Sequence, residues 1–254
     1  MAGAMIGGFH ASGTLTKDNV VAEGIATVPA AQEGGAQAIA EQCDVIFLAV
    51  KPFYMAPVLE ALAPHIDTDR HLVVTVAAGI EIADYEDALP EGTRFVRVMP
   101  NTPCLVREGV CSYTLGTNAT KEDGELMKRL LESVGFAAEV EERMIHGVIG
   151  VAGSCPAYLF VVLDALADGG VQAGLPRDLA QRMAAQTMLG AGKMMLEGGP
   201  GGSVGHPGVL KDAVTSPAGT TIEAVASLER NGVRSAFIEA VRTAAARSRA
   251  MADE

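Results

Sequence analysis

The first half of the chain alternates continuous apolar runs with segments of helical period. The runs are rich in β-branched residues and do not alternate with polar ones, which is typical of strands buried on both faces of a parallel sheet. Strands are predicted at residues 19–22, 44–50, 71–77, 94–99, 111–115 and 137–140, and helices at 36–42, 56–63, 82–89 and 121–134. Repeated strand–helix units of this length predict an α/β fold with a doubly wound, Rossmann-type parallel sheet.

The second half follows helical spacing and contains no strand-like run. Helices are predicted at residues 156–169, 176–197, 220–231 and 233–251, and a Gly-rich loop at 198–203. We therefore predict an α/β domain over residues 1–142 and an all-helical domain over residues 143–254. Apolar residues such as Phe160 and Val161 are so dense on the first of these helices that a subunit interface is predicted, with a fully buried central helix as the alternative.

Composition and charge exclude several classes of protein. The 254 residues include 19 Lys and Arg against 31 Asp and Glu, a net charge of −12, which argues against nucleic acid or an anionic membrane as the main partner. The four cysteines lie far apart and predict neither a metal site nor a disulfide framework. The longest uncharged stretch, residues 147–163, is shorter than the roughly 20 residues of a membrane helix, and no signal-like block opens the chain. A cytoplasmic protein is expected.

Four motifs occur in one order along the chain. They are Ala-Val-Lys-Pro at 49–52, Met-Pro-Asn-Thr-Pro at 99–103, Gly-Ser-Cys-Pro-Ala-Tyr at 153–158, and the segment from His-Pro-Gly to Gly-Thr-Thr at 206–221. As an ordered set they closely resemble pyrroline-5-carboxylate reductase, the NAD(P)H enzyme of proline biosynthesis, from residue 2 to about residue 248. The resemblance implies hydride transfer to the C=N bond of 1-pyrroline-5-carboxylate, NADP(H) or NAD(H) as cofactor, and a homodimer that can assemble into a decamer.

The resemblance places the cofactor at the carboxyl ends of the strands, where open α/β sheets bind ligands. It implies that Lys51 approaches the ribose or phosphates, and that Asn101 and Thr102 donate hydrogen bonds near the nicotinamide. From the residues alone, a solvated lysine and a rigid turn at 101–102 are open alternatives. The cofactor-binding residues implied are Ala2, Ala49, Val50, Lys51, Pro52, Ala77, Ala78, Gly79, Asn101 and Thr102.

The substrate is expected near the Gly-Thr-Thr segment. Thr220 and Glu223 have the spacing of a capping box that opens a helix near Thr221, and free N–H groups at such a helix start bind anions such as a carboxylate. The resemblance implies that the Thr221 hydroxyl bonds the imine nitrogen and helps to deliver the proton. The alternatives are threonines that only cap the helix, and a Glu142 that belongs to a solvated acidic patch. The substrate-binding residues implied are Glu142, Ser216, Gly219, Thr220 and Thr221.

The chain departs from the family pattern in two ways. Cys155 and Ala218 stand where the family usually has glycine, so a side chain is present in each of these two turns. The chain also opens inside the helix that follows the family's Gly-rich turn, and the unit after residues 20–21 is short for a βαβ unit. We expect the first strand and part of the second unit to be missing from the recorded chain as mobile segments. An intact mass near 26.2 kDa would instead indicate that they are truly absent.

Two other functions are compatible with parts of the sequence. A related imine or hydroxy-acid reductase would usually need a catalytic lysine on the first helix of the second half, and residues 157–170 contain none. A non-catalytic oligomeric homologue would keep the fold without the Gly-rich turn. Oxidation of NADPH in the presence of pyrroline-5-carboxylate separates all three hypotheses.

Overall fold

The computed structural model describes residues 2–13, 35–198 and 205–252. The chain forms two compact units, one made of Met1–Pro156 with Val241–Glu254 (the sheet unit) and one made of Ala157–Ala240 (the helical unit). The strand predicted at 19–22 and most of the loop predicted at 198–203 lie outside the described residues. Compact units are not the same as domains that fold alone, so the division predicted between residues 142 and 143 stays a prediction.

The sheet unit contains five strands in the order β1-β2-β3-β4-β5. They are β1 Val45–Leu48, β2 Leu72–Thr75, β3 Arg94–Met99, β4 Gly109–Leu115 and β5 Gly135–Glu139. The β1–β2, β2–β3 and β4–β5 pairs are parallel, whereas β3 and β4 are antiparallel. Residues 100–108 are too few for the crossover of about a dozen residues that a parallel connection needs, so the chain reverses there.

Helices cover both faces of this sheet. The helices of the unit are α1 Ala2–Ala11, α2 Gly35–Gln42, α3 Met55–Leu62, α4 Ile82–Ala88, α5 Lys121–Glu132 and α6 Ile145–Val148. Leu72 and Val74 pack into one core with residues of α1 and α5, and Val73 packs into a second core with residues of α3 and α4. Adjacent residues of one strand therefore enter different cores. The predicted doubly wound α/β fold is confirmed, with β4 and β5 running opposite to β1, β2 and β3.

In the part of the chain that the structure describes, five α-helices follow α6, and they make up the helical unit and the adjoining ends of the sheet unit. They are α7 Cys155–Gln172, α8 Arg177–Glu197, α9 Pro207–Ala213, α10 Thr220–Arg230 and α11 Val233–Ala252, which ends in the sheet unit. An ion pair of 2.6 Å between Arg177 and Asp168 joins α8 to α7. The sequence analysis missed α9 because only seven residues, beginning Pro-Gly, form it.

The side chains of α7 point largely to solvent. Phe160 is 65% exposed and Val161 70%, so the alternative of a fully buried central helix is wrong for the isolated chain. Among the described residues, the helical stretch Glu142–Gln172 is long and apolar enough to cross a membrane by length and composition. The sequence analysis counted only the uncharged residues 147–163 and so underestimated its length. An exposed apolar surface of this size is typical of a protein–protein or membrane interaction site.

Candidate active site

The carboxyl ends of β1, β2 and β3 meet at one edge of the sheet. The strand register places Leu48 beside Thr75, and Thr75 beside Arg97, so the three parallel strands end together. Lys51 follows β1 and precedes a short 3-10 turn, Pro52–Tyr54, and its side chain is exposed. Ala49 and Pro52 are also exposed and Val50 is half-buried. The solvent-exposed ammonium group of Lys51 therefore lies at this edge, next to the smaller side chains of Ala49, Val50 and Pro52.

The turn between β2 and α4 contains the predicted residues Ala77, Ala78 and Gly79. Ala77 is buried, the other two are half-buried, and Gly79 has φ +80°, a left-handed conformation that favours glycine. The Ala77 N–H donates to the Thr75 Oγ1 at 3.2 Å, and this oxygen bonds the Tyr85 hydroxyl at 2.9 Å. Burial raises the pKa of Tyr85, so its hydroxyl stays neutral. A Cβ at Gly79 would lie 3.8 Å from the Met251 side chain, so the turn packs against the end of α11.

Asn101 and Thr102 follow β3. The Asn101 side chain is buried, its Oδ1 accepts the Val110 N–H at 2.9 Å, and its Nδ2 donates to the Ala152 carbonyl at 3.1 Å. Thr102 is exposed and begins a short 3-10 helix, Thr102–Val106. The amide therefore has a structural task at the strand end, although its partners Val110 and Ala152 are not the local backbone that the rigid-turn alternative requires. One Nδ2 hydrogen has no partner among the described residues.

Glu142 belongs to an ion pair and not to a solvated patch. Its Oε1 accepts a hydrogen bond of 2.6 Å from the Arg97 Nη1 and one of 2.8 Å from the Ile82 N–H. The Arg97 side chain is 1% exposed and the Glu142 side chain 31%. Its neighbour Glu141 is exposed and pairs at the surface with Arg143. The sequence analysis missed Arg97, whose signal was a charge inside an otherwise apolar strand.

The helical unit contains the other predicted site residues at the start of α10. Gly219 is the N-cap residue, and no side chain caps the helix. The predicted capping box of Thr220 and Glu223 is therefore wrong, because α10 begins one residue earlier than the box requires. Thr220 is exposed and Thr221 half-buried. Within the described residues the Thr221 hydroxyl has no hydrogen-bond partner, so it is available to a ligand.

The loop before α10 is tightly turned. The Gly219 N–H donates to the Ser216 carbonyl at 3.1 Å, and a Cβ at Gly219 would clash with the Ser216 Oγ. Ala218 has φ +54°, the left-handed region that disfavours a side chain. The exposed Ser216 hydroxyl and the N–H groups at the start of α10 are thus presented together.

Two further predicted positions lie elsewhere. Ala2 is the first residue of α1, whose Met5 and Phe9 are buried in the core. Cys155 begins α7 as a free thiol, and burial raises its pKa, which does not suit a nucleophile.

Cys104 and Cys111 are free thiols in hydrogen-bond contact, with the sulfur atoms 3.6 Å apart. In the described part of the chain no group of three His, Cys, Asp or Glu residues could hold a metal ion.

The strand-end residues fit a phosphate-bearing dinucleotide. Lys51 offers a cation, Ala78 and Gly79 allow close approach, and the three parallel strands aim their carboxyl ends at one place. Residues 49–52, 77–79 and 101–102 lie at this edge, whereas Ala2 and Glu142 lie elsewhere in the sheet unit. The predicted residues of the helical unit, Ser216, Gly219, Thr220 and Thr221, lie in one continuous segment.

Comparison with known proteins gives consistent results. A family model described as "Pyrroline-5-carboxylate reductase dimerisation" matches residues 142–251. A second family model, described as "NADP oxidoreductase coenzyme F420-dependent", matches residues 1–79. Pyrroline-5-carboxylate reductase 2 of Bos taurus is 44% identical, over 100% of this chain and 82% of its own length. The reductase of Methanosarcina acetivorans is 47% identical, over 83% of this chain and 76% of its own length.

A solved structure supports the same relationship. The pyrroline carboxylate reductase of Plasmodium falciparum, solved with NADP bound, superimposes with a TM-score of 0.85 at 29% identity. The match covers 98% of this chain and 94% of the other. The sequence identity to a pyrroline-5-carboxylate reductase exceeds 40% across the whole chain. The fold is also that of a solved pyrroline carboxylate reductase. This chain belongs to the pyrroline-5-carboxylate reductase family.

Proposed function

We propose that this chain is an NAD(P)H-dependent oxidoreductase that reduces 1-pyrroline-5-carboxylate to L-proline, the last step of proline biosynthesis. The observation that carries the proposal is the 44% identity to a reductase of this name along the entire chain, both site loops included. NADP(H) is the expected cofactor, and the similar Plasmodium falciparum structure was solved with NADP bound.

The cofactor would be held along the strand-end edge of the sheet unit. We assign the phosphates and ribose to Lys51, with Ala49, Val50 and Pro52 lining the same loop. The nicotinamide half would lie against Ala77, Ala78 and Gly79, with Thr102 and the remaining amide hydrogen of Asn101 beside it. Ala2, at the first turn of α1, would face the pyrophosphate. The bound cofactor supplies the hydride.

The substrate would be held at the start of α10. Its carboxylate fits the unpaired N–H groups of the first turn and the Ser216 hydroxyl, and Gly219 allows the backbone to approach it. Thr221 donates its hydroxyl hydrogen bond to the imine nitrogen, which gains a proton as the adjacent carbon gains the hydride. The proton comes from solvent and is passed to the nitrogen through this hydrogen bond, so Thr221 ends the step as a neutral hydroxyl. Hydride and proton together convert the C=N bond to an amine, and this addition involves neither a metal nor a covalent enzyme intermediate.

The exposed apolar surface of α7 supports a homo-oligomer. The match to a dimerisation domain covers residues 142–251, which includes all of α7. A dimer would bury this surface and account for the apolar stretch Glu142–Gln172 without a membrane. We propose a cytoplasmic homodimer that can assemble further into a decamer, with neither membrane nor nucleic acid as partner.

Turnover with a defined set of variants tests the function. Purified chain should oxidise NADPH only when pyrroline-5-carboxylate is present and should release proline. Thr221→Ala should lower kcat by about a hundredfold because the general acid contact is lost, and Thr221→Ser should restore most of it. The thermal midpoint of Thr221→Ala should stay near that of the wild type, because the hydroxyl caps nothing.

The matched control is Ser227→Ala, which removes a hydroxyl two turns further along the same helix and should leave kcat unchanged. Full turnover by Thr221→Ala would remove this residue from the mechanism. A wild-type chain that folds and oligomerises but never oxidises NADPH would instead support the non-catalytic homologue.

A further inference from the structure

Side chains anchor the turn between β2 and α4 at both of its ends. At the β2 end, the Ala77 N–H donates to the Thr75 Oγ1, which also bonds the Tyr85 hydroxyl. At the α4 end, the Ile82 N–H donates to the Glu142 Oε1 at 2.8 Å. Glu142 lies far away in sequence, just after β5. The side chains of Thr75 and Glu142 therefore hold the two ends of the turn, in addition to the local capping box of Glu81 and Asp84.

Glu142 is in turn held by Arg97. The Arg97 Nη1 donates to the same Oε1 at 2.6 Å. The Nε and Nη2 atoms of this buried guanidinium have no hydrogen-bond partner among the residues that the structure describes. A buried cation is costly unless it is paired, so Glu142 compensates the charge of Arg97, and Arg97 fixes the position of the carboxylate.

We propose that Arg97 and Glu142 are positioning residues for the dinucleotide. They hold the β2–α4 turn, with Gly79 at φ +80°, in the conformation that receives the nicotinamide half. Glu142 acts through the Ile82 N–H, and Arg97 acts through Glu142. This inference rests on the proposed cofactor site at the strand-end edge, and it differs from the role in substrate binding that the family resemblance implies for Glu142.

The dissociation constant of NADPH, measured by fluorescence titration of the full chain, separates the two roles. Glu142→Ala should raise this Kd by about tenfold and leave the KM for the imine within about twofold, because the turn loosens while the α10 loop keeps its own contacts. Glu142→Gln keeps an acceptor for the Ile82 N–H and should recover most of the affinity. Glu141→Ala is the matched control, because it removes the adjacent carboxylate, and it should leave the Kd unchanged.

A double variant separates positioning from folding. Glu142→Ala leaves a buried charge without its partner and lowers stability, whereas Arg97→Met combined with Glu142→Ala removes both charges. The double variant should unfold near the wild-type temperature and still bind NADPH about tenfold more weakly, since the Ile82 N–H has lost its acceptor. A stable double variant with the wild-type Kd would overturn the proposal.

Three further outcomes are decisive. If Glu142→Ala raises the KM for the imine and leaves the Kd of NADPH unchanged, Glu142 binds substrate and the positioning role is overturned. If the wild-type chain binds NADPH but does not reduce the imine, the proposed function fails while the Kd comparison still tests Arg97 and Glu142. A wild-type chain without affinity for NADPH overturns both.

Discussion

The sheet unit and the helical unit treat their apolar side chains in opposite ways. In the sheet unit Val73 and Phe95 are completely buried within the same chain. In the helical unit the buried apolar side chains that the structure describes are the alanines Ala167 and Ala180, while Phe160 stays 65% exposed. The sheet unit thus completes its core alone, and the helical unit keeps its largest apolar groups for a second copy. The two units therefore differ in how far the chain itself covers their apolar side chains.

The largest effect is expected from a cavity in the sheet unit. Phe95→Ala removes a fully buried ring that stacks on Tyr85 with a centroid distance of 4.6 Å, so the free energy of unfolding should fall by about 3–5 kcal/mol. Urea unfolding followed by circular dichroism measures it. Phe136→Ala removes a ring that is 65% exposed in the same unit and should cost less than about 0.5 kcal/mol. Equal losses would contradict a self-sufficient core.

A smaller but more selective effect is expected from a charge on α7. Phe160→Glu should weaken association by about 2 kcal/mol or more, about thirtyfold in the subunit dissociation constant, because a charge would be desolvated in the interface. Sedimentation equilibrium measures this constant. Phe136→Glu, an equally exposed ring outside the matched dimerisation region, should leave it unchanged. An unaltered oligomer in Phe160→Glu would place the interface elsewhere.

The smallest effect concerns the loop before α10. Ala218→Gly should raise the free energy of unfolding by about 0.5–1 kcal/mol, because glycine adopts φ +54° without the strain of a Cβ. The same exchange inside α10, Ala224→Gly, should lower it by about 1 kcal/mol. Urea unfolding of both variants checks the opposite signs. A loss of stability in Ala218→Gly would show that the loop is not strained.

The local pattern of the sequence predicted most of the elements but not the direction of every strand. Continuous apolar runs identified β2 and β3 because strands buried on both faces need no polar positions. The reversal of β4 could not be read in this way, since an apolar run looks the same in either direction. Its signal was the short connection at 100–108, which leaves no room for a crossover.

The site was predictable only where function depends on a local motif. Lys51 and Gly79 follow strand ends, and this position together with the family resemblance predicts cofactor contact, which stays a prediction. The bonds from Glu142 to Arg97 and to Ile82 join residues far apart in the sequence, and no local pattern encodes them. The spacing of Thr220 and Glu223 also misled, because the N-cap depends on the turn at Ser216–Gly219 and not on the spacing alone.

The reversed connection between β3 and β4 also bears on the order in which the sheet forms. Of the four strand pairs, this one closes through a direct connection of residues 100–108, whereas β1–β2 and β2–β3 must wait for an intervening helix. Short loops lose the least entropy on closure, so we expect the β3–β4 hairpin to be the earliest pairing on the folding route. The Val110–Asn101 bond forms inside that hairpin, and one wall of the cofactor edge is therefore built before the rest of the sheet assembles around it.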